Sequence, residues 1–430
     1  MISTKIPYRS ILNFALFLIF PFSVVIDIYN GYGIHSEGGS SPLAFGYKGL
    51  LMTVCFVACF SGKAFAKGRV CILLFLFLFL IEFLYWTIAD SYFNPDAELG
   101  FLLKCIYPYI VLAFLFRFGN YIENRRFVRL ITYYPVISAL SIIFFQLVGI
   151  GVSSYGDGLG AKGLFTAGND IGLVLLTGNC VLCYLYTETF HAKYLFAVLT
   201  VSAVGIMLGT MAGMGGTIIV LLFLFFKIIF TRHRVISAWR KLTGFLVLLV
   251  AITSALTISI NFVANSNYLL RKADALLEGD SRAGLEDAAV SVLSKYGICD
   301  WALGRGYTGF GRSVAIQTGQ MRNGGFRLTE MDFHDLVGYY GILVGGSVIM
   351  FSIYVFVISL KKFLKTRNNF SYWTVIALAL FIGHSALAGH GYTSPQSSLE
   401  YVAIAFLAIR NARHDRDSDL MKIRFKNMNQ

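Results

Sequence analysis

The feature that most constrains this chain is a recurring length. Apolar stretches of about 20 residues follow one another from end to end, and about 20 apolar residues is what an α-helix needs to cross a bilayer core. Twelve such stretches run at approximately 11–29, 44–61, 69–90, 100–118, 131–150, 167–188, 194–211, 213–231, 242–263, 336–360, 371–389 and 396–410. Composition agrees: 57% of residues are hydrophobic and 14% charged, against about a quarter charged in soluble domains. A water-soluble fold is excluded, and an all-α, multi-pass membrane protein is predicted. No small-residue cleavage site follows residues 11–29, so that stretch reads as a retained helix rather than a signal peptide.

Loop charges set the expected topology. A formal net charge of +13 invites a nucleic-acid reading, but the cations are sorted by loop. Basic loops carry Lys63, Lys67 and Arg69, then Arg117, Arg125, Arg126 and Arg129, then Lys193, then Lys227 through Lys241, then Lys361 through Arg367. The loops between them are acidic or neutral, with Glu37, Asp90, Asp96, Glu98 and Asp157. Positive loops stay cytoplasmic, so both termini are expected there, and no nucleic-acid partner is expected. Six of the seven cysteines lie in apolar stretches and only Cys299 in a polar loop, so no disulfide framework is expected. "CVLC" at 180–183 reads as packing rather than as a redox pair.

The expected division is nine spans over 1–263, an external subdomain with short helices over 264–335, three spans over 336–410 and a basic cytoplasmic tail over 411–430. In the external segment, "YLLRKADALLEG" and "DSRAGLEDAAVSVLSKYGI" have helical spacing. Leu285, Ala288, Ala289, Val292 and Tyr296 form one face of the second, and Gly297 ends it. Arg282 falls in its first turn, where free N–H groups favour an anion; an i+4 pair with Glu286 is the alternative. "LGRGYTGFGR" matches GxGxxG, but no strand–helix unit surrounds it. It reads either as a pliable backbone bringing Arg305 and Arg312 to a phosphate, or as a loop turning corners.

"RLTEMDFHDLVGYYGILVGG" (327–346) crowds Glu330, Asp332 and Asp335 around His334 at the mouth of the tenth span. On a helix from Glu330, that residue and His334 share a face, and Asp332 pairs with Asp335. A neighbouring carboxylate stabilises an imidazolium, which makes His334 a candidate proton acceptor. Polar anchoring at the interface is the alternative. His384 and His390 read as interior packing residues in preference to a ligand pair.

Four stretches resemble the bacterial O-antigen polymerases and ligases, integral-membrane glycosyltransferases that use polyprenyl-pyrophosphate glycans. They are "AKGLFTAGNDIG" (161–172), "SRAGLEDAAVSVLSKYGICDWALGRGYTGFG" (281–311), "HDLVGYYGILVGG" (334–346) and "GHSALAGHGYTSPQSS" (383–398). Where many members have His-Asn, this chain has His334-Asp335, which leaves the role of Asp335 open. The resemblance implies a GT-C-like protein of the bacterial inner membrane, with about twelve transmembrane helices, a large external loop between the ninth and tenth, and its active site on the outer face. It implies glycosyl transfer from a lipid pyrophosphate to a sugar hydroxyl. Joining repeat units into O-antigen or a related polysaccharide is the expected role, and ligation of finished glycan to lipid A-core is the alternative. A lipid-linked sugar flippase is a further alternative, disfavoured because membrane-interior acids are few (Asp27, Glu82 and Asp170).

That chemistry requires cations for the leaving pyrophosphate and a base for the acceptor. The expected pyrophosphate ligands are Arg282, Arg305 and Arg327, with Arg312 and Arg322 as further candidates. His334 is the expected base, oriented by Glu330 or Asp332. Arginines can take the place of a divalent ion, so neither a metal nor another cofactor is expected. The expected partners are the polyprenyl-pyrophosphate-linked oligosaccharide, membrane lipid and a chain-length regulator.

Overall fold

The structure is a computed structural model and describes residues 5–37, 41–61, 66–89, 93–155, 158–230, 238–267, 270, 283–319, 321–322, 325–326, 329 and 331–428. It is an all-α membrane bundle with one small hairpin. Among the described residues, ten helices are long and apolar enough to cross a membrane. The first, α1, joins Lys5–Phe17 to Ser23–Glu37 through a π turn at Leu18–Phe22. Pro21 lies in that turn, where its missing N–H breaks the ordinary ladder. There follow α2 (Pro42–Phe60), α3 (Ala66–Ala89), α4 (Pro95–Phe118), α5 (Asn124–Val148) and α6 (Gly168–Thr189). Next come α7 (Ala192–Met207), α8 (Met211–Phe230) and α9 (Ala238–Ala264).

The segment that follows α9 contains α10 (Ala283–Ser294), α11 (Ile298–Leu303), α12 (Gly306–Thr318) and a hairpin of β1 (Met321–Arg322) against β2 (Gly325–Phe326). Then α13 (Asp332–Tyr340) passes through a π turn at Gly341–Gly346 into α14 (Ser347–Thr366). The chain closes with α15 (Asn369–Leu387) and α16 (Pro395–Met428).

Ten of the twelve expected spans are thus helices of sufficient length and hydropathy, and two depart. Helix α7 is apolar but only 16 residues long, and Gly209 just beyond it turns at φ +69°. Helix α16 opens on Gln396, Ser397, Ser398 and Glu400 and carries Arg410, so its apolar run is short. It packs against α4, α6 and α14 with its residues from Leu399 to Ile409 buried. A helix enclosed by others needs no continuous apolar surface. Helix α6 occupies the centre, against α5, α7, α8, α15 and α16. The outer helices instead expose Phe14, Leu50, Val57, Leu74 and Leu80, which suits contact with lipid.

Helices α11 and α12 are clipped to the bundle by polar contacts at their termini. Glu98 on α4 accepts the backbone N–H of Tyr307 at 2.9 Å, that of Thr308 at 2.6 Å and the Thr308 hydroxyl at 2.5 Å. This carboxylate therefore fills the anion seat at the N-terminus of α12. The Tyr85 hydroxyl donates to Asp300 at 2.7 Å, and Trp86 Nε1 to the Leu303 carbonyl at 3.1 Å. Gly304 (φ +70°) and Gly341 (φ +60°) let α11 and the π turn touch backbone to backbone: a Cβ at Gly341 would fall 2.3 Å from the Ala302 carbonyl oxygen. Phe101 stacks on Tyr307 at 4.2 Å, and Tyr339 packs edge-on to Phe101 at 5.3 Å.

Two expectations for this segment meet the structure. The face of α10 is as expected: Leu285, Ala288, Ala289, Val292 and Tyr296 are buried. The glycines of "LGRGYTGFGR" are different. Residues 306–318 are helical, not a pliable loop, because the Glu98 carboxylate caps the helix start and Phe310 and Val314 bury one face. The expected helix at 268–277 lies outside the described residues.

Candidate functional site

A cavity of about 350 Å³ opens between α1, α2, α4, α6, the start of α12 and the turn that precedes α16. Its titratable and aromatic lining includes Asp27, Lys48, Lys104, Asp170, Tyr307 and His390. Asp27 is committed within the bundle: Lys48 Nζ donates to Oδ1 at 2.5 Å, and the Tyr134 hydroxyl to Oδ2 at 2.5 Å. Lys104 is exposed to the cavity. Tyr307 sits at the roof, where burial first, and then Glu98 and Asp335, push its phenol above the ordinary range. It therefore serves as a neutral hydroxyl.

The stretch 150–167 supplies the next wall. It is held by a bridge between Val152 and Gly163 and by the bond from Ala161 N to the Met207 carbonyl at 2.8 Å. Lys162 donates to the Thr166 carbonyl at 2.8 Å, and burial lowers its pKa, with Asp170 acting in the opposite sense. The chain then enters α6, and Asp170 lies in the first turn. Its Oδ1 is buried and accepts no hydrogen bond among the described residues.

His390 arrives by an unusual backbone. It has φ +64°, directly after Gly389 at φ +66°, and a non-glycine residue in that region costs roughly 1 kcal/mol or more. Asp332 offsets the strain. Its carboxylate, the first residue of α13, accepts the N–H groups of His390 at 2.7 Å, Gly391 at 2.6 Å and Tyr392 at 3.1 Å. The Ser397 hydroxyl closes the turn from the other side, onto the carbonyls of His390 at 3.0 Å and Gly391 at 2.9 Å. Gly391 fits because it has no side chain: a Cβ there would lie 2.0 Å from Ser385 Oγ.

These contacts revise the reading of the acidic cluster. Asp332 does not orient His334; it holds the 390–392 turn. Two residues apart on a helix means about 200° apart, so the two side chains leave opposite faces. His334 is half-buried, its Nδ1 accepts no bond among the described residues, and it does not line the cavity. Asp332 and Asp335 do share a face, and Asp335 accepts the hydroxyls of Thr329 at 2.6 Å and Tyr339 at 3.1 Å. Glu330 lies outside the described residues.

The arginines separate likewise. Arg305 Nη2 bonds Asp300 Oδ2 at 2.8 Å, and its guanidinium lies 4.9 Å over the Tyr296 ring. Burial alone would raise Asp300, but the bonds from Arg305, Tyr85 and the Gly297 N–H outweigh it and hold the carboxyl below its ordinary range. Arg305 is therefore engaged in folding the segment 296–305. Arg312 is half-buried on α12 and does not line the cavity. Arg282 and Arg327, and the side chain of Arg322, lie outside the described residues. Among the described residues, no group of three or more His, Cys, Asp or Glu side chains is placed to hold a metal.

Sequence reasoning passed over Lys104 and His390. The sequence pattern does not single out Lys104, and it gives His390 as an interior packing residue. The available signal for His390 was the "AGHGY" run (388–392), in which glycines flank a histidine and permit the left-handed turn.

The architecture, the cavity and the motif order can be set beside known proteins. No curated protein and no solved structure matches the chain. A family model, O-antigen ligase like membrane protein, matches residues 48–278. That stretch supplies Lys48, Lys104 and Asp170 of the cavity and stops short of Asp332 and His390. With more than half of its length matched, the chain belongs to the O-antigen ligase-like membrane protein family.

Proposed function

We propose that the protein is a glycan polymerase that joins polyprenyl-pyrophosphate-linked repeat units on the outer face of the bacterial inner membrane. One observation carries this reading: cations and carboxylates converge in a single cavity, Lys48 and Lys104 with Asp170 and His390, directly beneath the external helices. Glycosyl transfer from a lipid diphosphate needs such a pairing. Positive charge receives the departing diphosphate, and a proton acceptor faces the incoming hydroxyl. Lys104, exposed in the cavity, is the best-placed group for the diphosphate, whereas Lys48 is paired with Asp27. Arg282, Arg322 and Arg327 are further candidates from the external segment. Lysines supply the positive charge, so the proposed reaction needs no divalent ion. The ring pair Phe101–Tyr307 beside the cavity suits the apolar face of a sugar.

The family membership supports glycosyl transfer, and the sugar-binding role of either ligase or polymerase would use the same cavity. A deletion strain decides between them. Lipopolysaccharide capped with single repeat units is the result expected for a polymerase. Undecorated core with accumulating lipid-linked polymer would overturn that choice in favour of ligation. Purified protein that lengthens lipid-pyrophosphate oligosaccharide without nucleotide would support transfer itself, and failure to do so would refute it.

A further inference from the structure

We infer that His390, and not His334, takes the proton from the acceptor hydroxyl, and that Asp332 is the positioning residue that holds His390 for the task. This rests on the glycosyl-transfer reading above. Three features converge. His390 lines the cavity and His334 does not. His390 is held at a strained φ of +64°, and strain of that kind persists only where surrounding bonds enforce it. Those bonds are three backbone N–H groups on one carboxylate, Asp332, which reaches the turn from α13, 58 residues away for the bond to His390.

The step balances without a further reactant. The acceptor oxygen forms a bond to the anomeric carbon of the donor sugar while its O–H proton passes to an imidazole nitrogen of His390. The bond from that carbon to the phosphate oxygen breaks, and its electron pair leaves with the polyprenyl diphosphate. The proton then leaves His390 for water in the half-open cavity. Charged and titratable groups face this space from every wall: Asp27 on α1, Lys48 on α2, Lys104 and Tyr107 on α4, Asp170 on α6 and Tyr307 on α12. Asp332 backs the turn from α13.

The test uses the full chain in lipid nanodiscs with undecaprenyl-diphosphate oligosaccharide. Asparagine tolerates the left-handed region, so His390→Asn preserves the turn while removing the proton acceptor. Transfer should fall about 10²- to 10⁴-fold, with donor binding changed by less than about threefold, and His334→Asn should retain the wild-type rate. Asp332→Asn removes a negative charge behind the imidazole, which lowers the pH at which the histidine protonates. The acidic limb of its pH–rate profile should therefore move to lower pH, with kcat reduced more than KM is changed. A purely structural Asp332 would lower the amount of folded protein and leave that limb in place. If the wild type transfers and His390→Asn keeps pace with it, or if His334→Asn is the inactive variant, the assignment is wrong and the functional reading stands. If the wild type itself fails to transfer, the reading falls and takes the assignment with it.

Discussion

Removal of the Glu98 carboxylate should release helix α12 from the membrane bundle. Glu98 is 1% exposed and accepts three bonds from Tyr307 and Thr308. In Glu98→Ala, two backbone N–H groups and a hydroxyl lose their acceptor at a helix N-terminus. Each unsatisfied buried donor costs about 1–3 kcal/mol, and loss of an anion at the helix start about 0.3–2 kcal/mol more. Water from the adjoining cavity can recover part of this, so about 3 kcal/mol is expected, or roughly 100-fold in a local opening equilibrium. Glu98→Gln keeps the shape but turns an amide N–H₂ toward a donor, and should lose about half as much. Hydrogen exchange in nanodiscs reads the effect directly: protection across 306–318 should drop about 100-fold, while the central helix 168–189 is unchanged. Tyr307 lines the cavity, so transfer should fall together with that protection. Glu123, paired only with an exposed Arg126, serves as the control and should show no change. Exchange across 306–318 within twofold of wild type in Glu98→Ala would refute the staple.

Other consequences follow from single contacts. Lys104→Met should weaken binding of undecaprenyl diphosphate about 5- to 30-fold, with a shallower salt dependence, as measured by titration at two ionic strengths. Gly391→Ala should abolish transfer, because its Cβ would lie 2.0 Å from Ser385 Oγ and displace the His390 turn; wild-type activity in that variant would show that the turn is not needed. Lys48→Met should lower thermal stability by about 3–5 kcal/mol, since it strands the buried Asp27 charge, and the double variant with Asp27→Asn should recover much of the loss. The Asp300 carboxyl is held below its ordinary range, so its contribution to docking α11 is complete at neutral pH and is lost as pH falls below about 4. Exchange at 298–303 should rise in that window, and Asp300→Asn should remove the pH dependence while loosening the segment at every pH.

Membrane class was legible because hydrophobic length is a local property. Each span could be read from its own 20 residues, and ten of twelve met the structure's lengths. The two that did not, α7 and α16, are the ones whose surroundings decide the matter. Glu400 and Gln396 are tolerated in α16 because α4, α6 and α14 enclose it. The site was less legible, because its contacts are long-range. Nothing local tells that Asp332 bonds residues 390–392, or that Glu98 caps a helix 209 residues away. Proximity in sequence points to His334, inside the acidic cluster, and gives no sign that Asp332 bonds the backbone of His390. Among the loop arginines, Arg305 is bonded to Asp300, while Arg282 and Arg327 lie outside the described residues.

The acidic cluster at the start of α13 now has a physical reason. A carboxylate at a helix start is stable there because of the helix dipole, and such a helix can present it to backbone amides elsewhere at little cost. Asp332 does this for the turn before α16, and Glu98 for the first turn of α12. Both connections end at cavity-lining residues, His390 and Tyr307. Helix α12 and the last membrane helix are therefore fixed at the cavity by carboxylates that accept backbone N–H groups. Under the proposed function, Glu98 acts on the cavity through Tyr307 and Asp332 acts through His390. This predicts an order of failure: variants at Glu98 should first lose affinity for the acceptor, and variants at Asp332 should first lose rate. Measured KM and kcat that fail together in both variants would place the two clamps in one structural unit rather than two.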